Sequence, residues 1–424
     1  MPAMDNEMYD LIVIGGGASG LMAAGVAAER GASVLVLEKN KDLGKKLKIT
    51  GGGRCNIYNA EFDTKKLLEN YGDAKKYLYS PFAQFAAEES KEFFHTIGLH
   101  TVVQARKRAF PYTEKAYDVF KVLEDYCKKH KVEFRTNTPI TRIDQENGEI
   151  SGVLSKKERF YAKNYILSTG GHAAPETGST GDGFKFLEKL GHTIHKPSPN
   201  IVPLVSDAQW IHRLAGTSLS FMKIRFIQNG KTQIRKTGKV LLTHFGISGP
   251  LILNSAREVK DLLQGGPVTA SIDLFPDTEL NDVDRRIWRI FEQHKNKKVK
   301  NVIKELIPRN IGMELLAMLK TDIADIDVNE VSKESRKELA HLCKNLEFPI
   351  TGTLGWDKAV IADGGVHLDE VDFKTMQSRK FPNLYLLGDI LHINRPSGGF
   401  SLQLCWTTAW VAGQSIPLEE IKRK

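Results

Sequence analysis

The chain has 424 residues, of which 41% are hydrophobic and 26% charged, and it carries a formal net charge of +9. Its length suits two or three domains, its composition is that of an ordinary globular protein, and its positive charge permits a polyanionic partner. No apolar run approaches the roughly 18 residues of a membrane helix, and the N-terminus lacks the basic and apolar regions of a signal peptide, so we expect a cytoplasmic protein without membrane contact.

The first predicted elements form a nucleotide-binding βαβ unit. A strand at 9–14 runs into the turn GGGASG at 15–20, a small-residue helix is predicted at 21–30, and a second strand at 33–37 ends on an acid. The glycines permit a tight turn, close approach to a pyrophosphate and close helix packing, while the helix amides face the phosphates. The acid, about 20 residues further on, is expected to accept both ribose hydroxyls. The predicted contacts are Gly15, Gly17, Ala18, Ser19, Gly20, Glu38 and Lys39.

The middle of the chain predicts an insert within this domain. Helical periodicity at 116–130 and short strands at 132–135, 140–144, 152–155 and 159–162 lead to a strand at 165–169 that ends on glycines. The sequence KPSPN at 196–200 then introduces short strands at 201–205, 223–228, 233–242 and 268–274, followed by helices near 282–305, 312–320 and 333–346. We therefore predict a discontinuous nucleotide-binding domain at 1–195 and 347–424, and an inserted substrate or partner domain at 196–346.

Three further segments favour a flavin nucleotide. An apolar strand at 381–387 ends on Gly388 and Asp389, where an acid can bind a ribityl hydroxyl in the sheet crevice. The sequence SGGFSL at 397–402 begins the last predicted helix, whose amides can stabilise negative charge on a flavin. The glycines of TGGGRCN at 50–56 suggest that a flat ligand lies against bare backbone. The predicted contacts here are Gly51, Gly52, Gly53, Arg54, Cys55, Asn56, Thr169, Gly170, Gly171, Gly388, Asp389, Gly398, Gly399, Phe400 and Ser401.

These motifs resemble those of a known family. TGGGRCN, with RAFP at 108–111, STGG at 168–171, TGSTGDG at 177–183 and THFGISGP at 243–250, is similar to the BaiN/YhiN-like bacterial flavoproteins, distant relatives of fumarate reductase flavoprotein subunits. The resemblance implies non-covalent FAD in a glutathione-reductase-like, Rossmann-type α/β domain, and an inserted α+β domain with a barrel-like part of short strands plus helices. The family commonly has Tyr-Asn where this chain has Phe400 and Ser401, so contacts at these positions are in question.

The resemblance leaves the substrate open. Family members include NAD(P)H-dependent reductases of conjugated enones and enzymes that reduce a ribosomal RNA uridine to dihydrouridine, so a reduction of an activated C=C bond is expected. No second nucleotide-binding fold is evident, because the glycine-rich 178–183 lacks a preceding strand. NAD(P)H is therefore expected to visit the open flavin face transiently, in a ping-pong scheme. The oligomeric state is not predicted.

The candidate catalytic residues are proton donors and substrate-binding cations. The four cysteines form no CxxC pair, which argues against a disulfide framework or a metal site. Cys55 is interpreted as an acid, as the site of a redox adduct, or as a small buried filler. His244 in THFGISGP is interpreted either as a proton donor or as structural. Arg54 and Arg395 either bind an anionic or carbonyl-bearing substrate or form surface ion pairs. His172 is a further candidate proton donor.

The charge pattern of the insert favours RNA. Residues 221–240 hold six Lys or Arg and no acid, and 285–309 hold nine basic residues against two acids. Such a pattern is either a solvated face or a footprint for phosphates. Phe226, Trp288 and Phe291 lie among these cations, either as base-stacking residues or as core. We predict reduction of a ribosomal RNA uridine; the alternatives are a small enone as substrate, or a flavin-containing RNA-binding factor without turnover.

Overall fold

A computed structural model describes residues 8–418. The strands, labelled in chain order, are β1 (Met8–Ile14), β2 (Val34–Leu37), β3 (Tyr58–Asn59), β4 (Thr101–Gln104), β5 (Arg108–Pro111), β6 (Glu133–Arg135), β7 (Ile140–Glu146), β8 (Glu149–Ser155), β9 (Arg159–Leu167), β10 (Ile194–Asn200), β11 (Leu204–Val205), β12 (Ser218–Gln228), β13 (Lys231–Thr243), β14 (Gly246–Ser248), β15 (Val268–Asp273), β16 (Leu346–Ile350), β17 (Gly352–Thr353), β18 (Ile361–Val366), β19 (Val371–Asp372), β20 (Gln377–Ser378) and β21 (Leu384–Leu386).

The α-helices lie between these strands in the chain or follow the last of them. They are α1 (Ala18–Glu29), α2 (Lys45–Ile49), α3 (Thr64–Leu68), α4 (Lys75–Gln84), α5 (Ala87–Thr96), α6 (Ala116–Lys129), α7 (Asp182–Lys189), α8 (Gln209–Arg213), α9 (Pro250–Gln264), α10 (Leu280–Gln293), α11 (Val299–Val302), α12 (Arg309–Ala317), α13 (Lys333–Lys344) and α14 (Phe400–Ser415). Within 8–418, no helix has both the length and the apolar composition needed to cross a bilayer. The chain divides into two compact units, 1–200 with 356–424, and 201–355.

The first unit is built on a nine-stranded sheet. Strands β21, β9, β1, β2 and β6 are parallel neighbours. The interior residues of β21, β9, β1 and β2 are almost wholly buried, as expected for a sheet covered on both faces, whereas those of the edge strand β6 are partly exposed. The small residues of α1 allow close packing on both sides: a Cβ on Gly25 would meet Tyr126 of α6 at 2.5 Å, and one on Gly413 of α14 would meet Val26 at 2.8 Å. These contacts pack α1 closely against α6 and α14, and the turn at 15–17 places its N-terminus at the carboxyl end of β1.

The proline-rich segment at 196–200 forms part of a strand. β10 (Ile194–Asn200) pairs antiparallel with β18 in a two-stranded sheet that belongs to the first unit. Proline is compatible with this strand because β10 is an edge strand of a two-stranded sheet and Pro197 falls at an irregularity of the pairing between His195 and Ser198. The division between the units therefore follows Asn200 in the structure, whereas the sequence suggested a boundary before Lys196.

The second unit contains a seven-stranded antiparallel sheet in the order β16, β15, β12, β13, β14, β11, β17. Its end strands β16 and β17 follow one another in the chain, separated by Thr351 alone, so the sheet curls back toward itself. β16 pairs with β15 in this sheet, although the sequence assigned 347–350 to the nucleotide-binding domain. The predicted helix at 282–305 is two helices, α10 and α11, and α9 was not predicted.

Candidate functional site

The turn between β1 and α1 is held open for a ligand. Gly15 has a φ of +108°, and its carbonyl accepts a hydrogen bond of 2.9 Å from Ser168 Oγ, at the end of β9. A Cβ on Gly20 would lie 1.9 Å from the Gly15 carbonyl oxygen, so only glycine allows α1 this close to the strand. A Cβ on Gly17 would meet nothing within 4 Å. The first amides of α1, which have no intrahelical acceptor, therefore face open space at Gly17.

The acid at the end of β2 braces this turn. Glu38 is 7% exposed; its Oε2 accepts the Gly16 amide at 2.9 Å, and its Oε1 accepts the backbone and side-chain N–H groups of Asn40, both at 2.8 Å. Oε1 thus uses both lone pairs, and Oε2 retains one acceptor site. That site suffices for one ribose hydroxyl, whereas the sequence suggested two. Lys39 donates to Thr180 and Asp182 at 2.6 and 2.7 Å, which ties β2 to the start of α7.

The ends of β9 and β21 complete the crevice. A Cβ on Gly171 would lie 3.2 Å from the Asp389 carbonyl oxygen, and one on Gly388 would lie 2.6 Å from Ser19 Oγ in α1. A side chain at Gly171 would therefore press on the backbone of Asp389, and Gly388 in addition has a φ of +68°, which favours glycine. Thr169 Oγ1 is buried, and no group within residues 8–418 hydrogen-bonds to it. An unsatisfied buried hydroxyl at a strand end is a place where a ligand can supply the missing partner.

A buried ion pair stands at the end of β21. Arg395 is 3% exposed and its Nη2 contacts Asp389 Oδ1, while Nη1 donates to the Ile393 carbonyl at 2.7 Å. Lys46 Nζ lies 3.9 Å from the second Asp389 oxygen, Oδ2. Burial opposes ionisation of Asp389, but the charges of Arg395 and Lys46 outweigh it and hold the Asp389 pKa below 3.8. Asp389 is therefore an ionised acceptor, with Oδ2 available for a hydroxyl.

The N-terminus of α14 is bound to the segment that follows the glycine turn at 51–53. The Asn56 carboxamide oxygen accepts the Gly399 amide at 3.0 Å, and Asn59 Nδ2 donates to the Gly398 carbonyl at 2.9 Å. Phe400 is buried, with its carbonyl bound by Tyr71 Oη at 2.9 Å, and Ser401 Oγ accepts Arg395 Nε at 3.1 Å. Ser401 is thus part of the Asp389–Arg395 cluster.

The glycine turn at 51–53 is largely exposed, and its backbone adopts a left-handed conformation that favours glycine. Gly51, Gly52 and Gly53 have φ values of +62°, +66° and +85°, and a Cβ on Gly52 or Gly53 would meet nothing within 4 Å. This open backbone agrees with a surface for a flat ligand. Arg54 is engaged elsewhere: its guanidinium forms a two-pronged ion pair with Glu114 at 3.0 and 2.6 Å and lies over the Phe110 ring. A role in substrate binding stays a prediction for Arg54.

Cys55 is fully buried, and its burial raises the thiol pKa to about 12. A thiol this weakly acidic stays protonated at neutral pH, so the structure does not support a thiolate nucleophile or a ready redox adduct. Packing against the fold accounts for the residue, and the role of an acid stays a prediction.

The remaining candidates are two histidines and three aromatic residues. His244 belongs to the second unit, where it is exposed in the turn that joins β13 to β14. His172 stacks on Trp356, with ring centroids 4.5 Å apart. Phe226 and Phe291 are buried core residues, whereas Trp288 is 47% exposed. Of the three proposed base-stacking residues, only Trp288 is therefore accessible.

The crevice of the first unit fits FAD. It offers free helix amides at Gly17, an acceptor site on Glu38, an unpaired hydroxyl on Thr169 and an ionised carboxylate on Asp389. Ser168 and Lys46 were not predicted to shape it: Ser168 holds the first turn through Gly15, and Lys46 adds positive charge beside Asp389. A serine at a strand end and a lysine in a short helix carry no distinguishing pattern in a sequence.

Comparisons with known proteins agree with this geometry. A family model described as HI0933-like protein Rossmann domain matches residues 9–415. A 3-dehydro-bile acid delta(4,6)-reductase of Clostridium scindens is 28% identical over 409 residues, 95% of this chain and 98% of that protein. A ribosomal RNA dihydrouridine synthase of Escherichia coli is 26% identical over 419 residues, 97% of this chain and 98% of that protein.

A solved structure shows the same fold. The open conformation of a flavocytochrome c3 fumarate reductase aligns with a TM-score of 0.50 at 14% identity, covering 97% of this chain and 78% of that one. At this identity the likeness concerns the fold alone. The expected relationship to fumarate reductase flavoproteins is confirmed at that level.

Proposed function

The chain belongs to the HI0933-like family and is an FAD-dependent oxidoreductase, and from that premise we propose that it uses NAD(P)H to reduce a uridine of ribosomal RNA to dihydrouridine. The names of the relatives support the reaction class, since both a delta(4,6)-reductase and a dihydrouridine synthase saturate a C=C bond next to a carbonyl. The choice of RNA rests on the surface of the second unit.

The observation that carries the RNA proposal is a basic face on β13. Arg235 and Lys239 are exposed, and neither forms an ion pair with any residue in the described range. Lys231 is exposed too, but it pairs with Gln228 beyond a register shift and so lies on the opposite face of the sheet. By register, Lys223 and Arg225 of β12 lie opposite Thr237 and Arg235 and so share the face of β13 that carries Arg235 and Lys239. Cations without acidic partners are free to neutralise phosphates.

The basic segment at 285–309 has fewer cations available for phosphates than its sequence suggested, because several of them form ion pairs. Lys298 pairs with Asp327 at 3.2 Å, Lys295 pairs with Glu292 at 2.8 Å, and Lys300 contacts Asp325. On the sheet, Lys236 contacts Glu258 of α9. These charges are paired within the unit, and the cations of the second segment that form no ion pair within residues 8–418 are spread over α10, α12 and the segments between them. We therefore assign the phosphate-binding surface to Arg235 and Lys239, which share one face of β13.

The chemistry follows from the first unit. Bound FAD supplies hydride transfer, for which NAD(P)H is the proposed source. The amides at the start of α14 and the Arg395 guanidinium stabilise negative charge beside them, and Asp389 and Glu38 accept hydroxyl groups. A proton must also reach the carbon next to the one that accepts hydride. The sequence offers two donors for this proton, His244 of the second unit and Cys55 of the first.

The test compares charge reversal on β13 with reversal elsewhere. Arg235→Glu with Lys239→Glu should abolish RNA-dependent flavin reoxidation, while NAD(P)H still bleaches the flavin and oxygen still reoxidises it. The matched control, Lys156→Glu with Lys157→Glu, changes the charge equally in an exposed turn of the first unit. Dihydrouridine in ribosomal RNA of a deletion strain should return with the control and not with the β13 variant.

Other outcomes select the alternatives. If both variants restore dihydrouridine equally, or the parent restores none, the RNA proposal is wrong. Reoxidation by a conjugated steroid enone would then favour the small-molecule reductase suggested by the bile-acid relative. A flavin that NAD(P)H does not bleach would instead indicate a binding factor without turnover.

A further inference from the structure

Phe221 is held in an unusual position on the second unit. The residue lies in β12, its side chain is 73% exposed, and its φ is +59°. Left-handed backbone favours glycine, because a Cβ meets the following carbonyl group. A large aromatic residue in this conformation is therefore an outlier that the folded chain tolerates without any burial of the ring.

The strand pairing explains how the ring is exposed. Leu219 pairs with Val240 and Met222 with Gly238, so Ser220 and Phe221 together stand opposite Lys239 alone. Two residues against one form a β-bulge, which bends the strand and redirects a side chain. The bulge places Phe221 across from a lysine of the unpaired basic face.

No packing contact of the described residues explains why a phenyl ring occupies this position. Within residues 8–418 it forms no ring pair and lies under no cation, and its exposure means that it packs little. Glycine or asparagine would form the same bulge with less strain. Backbone strain at an exposed aromatic residue points to a binding role outside the folded chain.

We propose that Phe221 stacks on an unpaired base of bound RNA, while Lys239 and Arg235 contact the flanking phosphates. The inference rests on the proposed function and adds to it a docking mode. Aromatic rings set in a basic surface bind single strands because every base has a stacking face. Unpaired RNA is also what the reaction requires, since a base within a helix is inaccessible to a reactive group.

The experiment separates stacking from charge. A fluorescently labelled, uridine-rich single-stranded RNA oligonucleotide is titrated with the full-length holoprotein at several salt concentrations. Phe221→Ala should weaken binding by roughly ten-fold at every salt concentration and leave the log–log salt slope unchanged. Arg235→Gln and Lys239→Gln should each reduce that slope, by about 0.7 for a single strand.

Three further variants make the result specific. Phe221→Trp should retain the parent affinity, because it restores a stacking ring. Phe221→Asn should raise the thermal unfolding midpoint, because asparagine tolerates the left-handed backbone, and yet weaken binding as Phe221→Ala does. Tyr79→Ala removes a 52% exposed ring from α4 of the first unit and should leave affinity unchanged.

The outcomes distinguish this proposal from the one it rests on. Parent-like affinity in Phe221→Ala, together with weakened binding in the lysine and arginine variants, would overturn stacking and leave RNA as the substrate. If the parent binds no oligonucleotide with a salt-dependent affinity, both proposals fail. Equal losses of RNA affinity in Phe221→Ala and Phe221→Trp would also refute stacking, because the tryptophan ring can stack on a base as the phenyl ring does.

Discussion

Gly17 and Gly20 allow a direct test of the crevice, because a Cβ has opposite surroundings at the two positions. At Gly20 it would lie 1.9 Å from the Gly15 carbonyl oxygen and 2.7 Å from Ser168 Oγ. At Gly17 it would meet nothing within 4 Å, and the φ of −86° suits any residue. We therefore expect Gly20→Ala to damage the fold, and Gly17→Ala to damage only cofactor binding.

The magnitudes follow from these distances. Alanine in a helix gains about 1 kcal/mol over glycine, but a 1.9 Å contact with backbone cannot be relieved by a rotamer. Overpacking costs about 1–3 kcal/mol even where side chains can move, so we expect a net loss of at least about 2 kcal/mol for Gly20→Ala. Gly17→Ala should change the stability of the flavin-free protein by less than about 0.5 kcal/mol.

The effect of Gly17→Ala should appear in FAD affinity. Its methyl group occupies the space through which the α1 amides reach the pyrophosphate. Loss of one hydrogen bond to a charged group costs about 1.5–3 kcal/mol, or roughly ten- to 150-fold in Kd. Flavin-free proteins would be compared by urea denaturation, and FAD binding by quenching of flavin fluorescence. Parent-like FAD affinity in Gly17→Ala would refute the assignment of this turn to the cofactor, and equal stability of the two flavin-free variants would refute the steric role of Gly20.

Three more predictions concern the same unit. Glu38→Ala should lower FAD retention after gel filtration, because it removes the ribose acceptor and the brace on the Gly16 amide; full retention would contradict the reading of the first βαβ unit. Gly53→Val should reduce flavin content or shift its absorbance in a folded protein, because a branched side chain enters the open side of a turn at φ +85°; an unchanged spectrum at full occupancy would mean that the turn lies away from the flavin. Arg395→Met should leave Lys46 as the one cation that lowers the pKa of Asp389, so the Asp389 pKa should rise. The variant should therefore lose little stability relative to the parent at about pH 4. The loss should increase with pH and reach about 3–5 kcal/mol at neutral pH. The sign follows because the parent's depressed pKa gives stability that is present above 3.8 and lost below it; a pH-independent loss in urea denaturation would argue against the ion pair.

Local motifs were sufficient to predict the FAD-binding fold. The turn at 15–20, the acid Glu38 and the strand that ends on Asp389 each carry a spacing that few structures other than a nucleotide-binding sheet satisfy. The boundaries of the insert were harder to predict. The prolines at 197 and 199 suggested that the insert begins at 196, whereas β10 continues through both residues, because pairing with β18 is a long-range contact that composition does not reveal.

The sequence by itself determined the cofactor class, the parallel sheet and the presence of a basic insert, because these depend on residue type and short-range spacing. Only the tertiary structure decided which charges are available. It neutralises Lys236, Lys298 and Lys300 with acids from other elements, leaves Arg235 and Lys239 exposed, and buries Arg395 against Asp389. Charge counts along a chain cannot give this result, because the free energy of an ion depends on its burial and on partners that are distant in sequence.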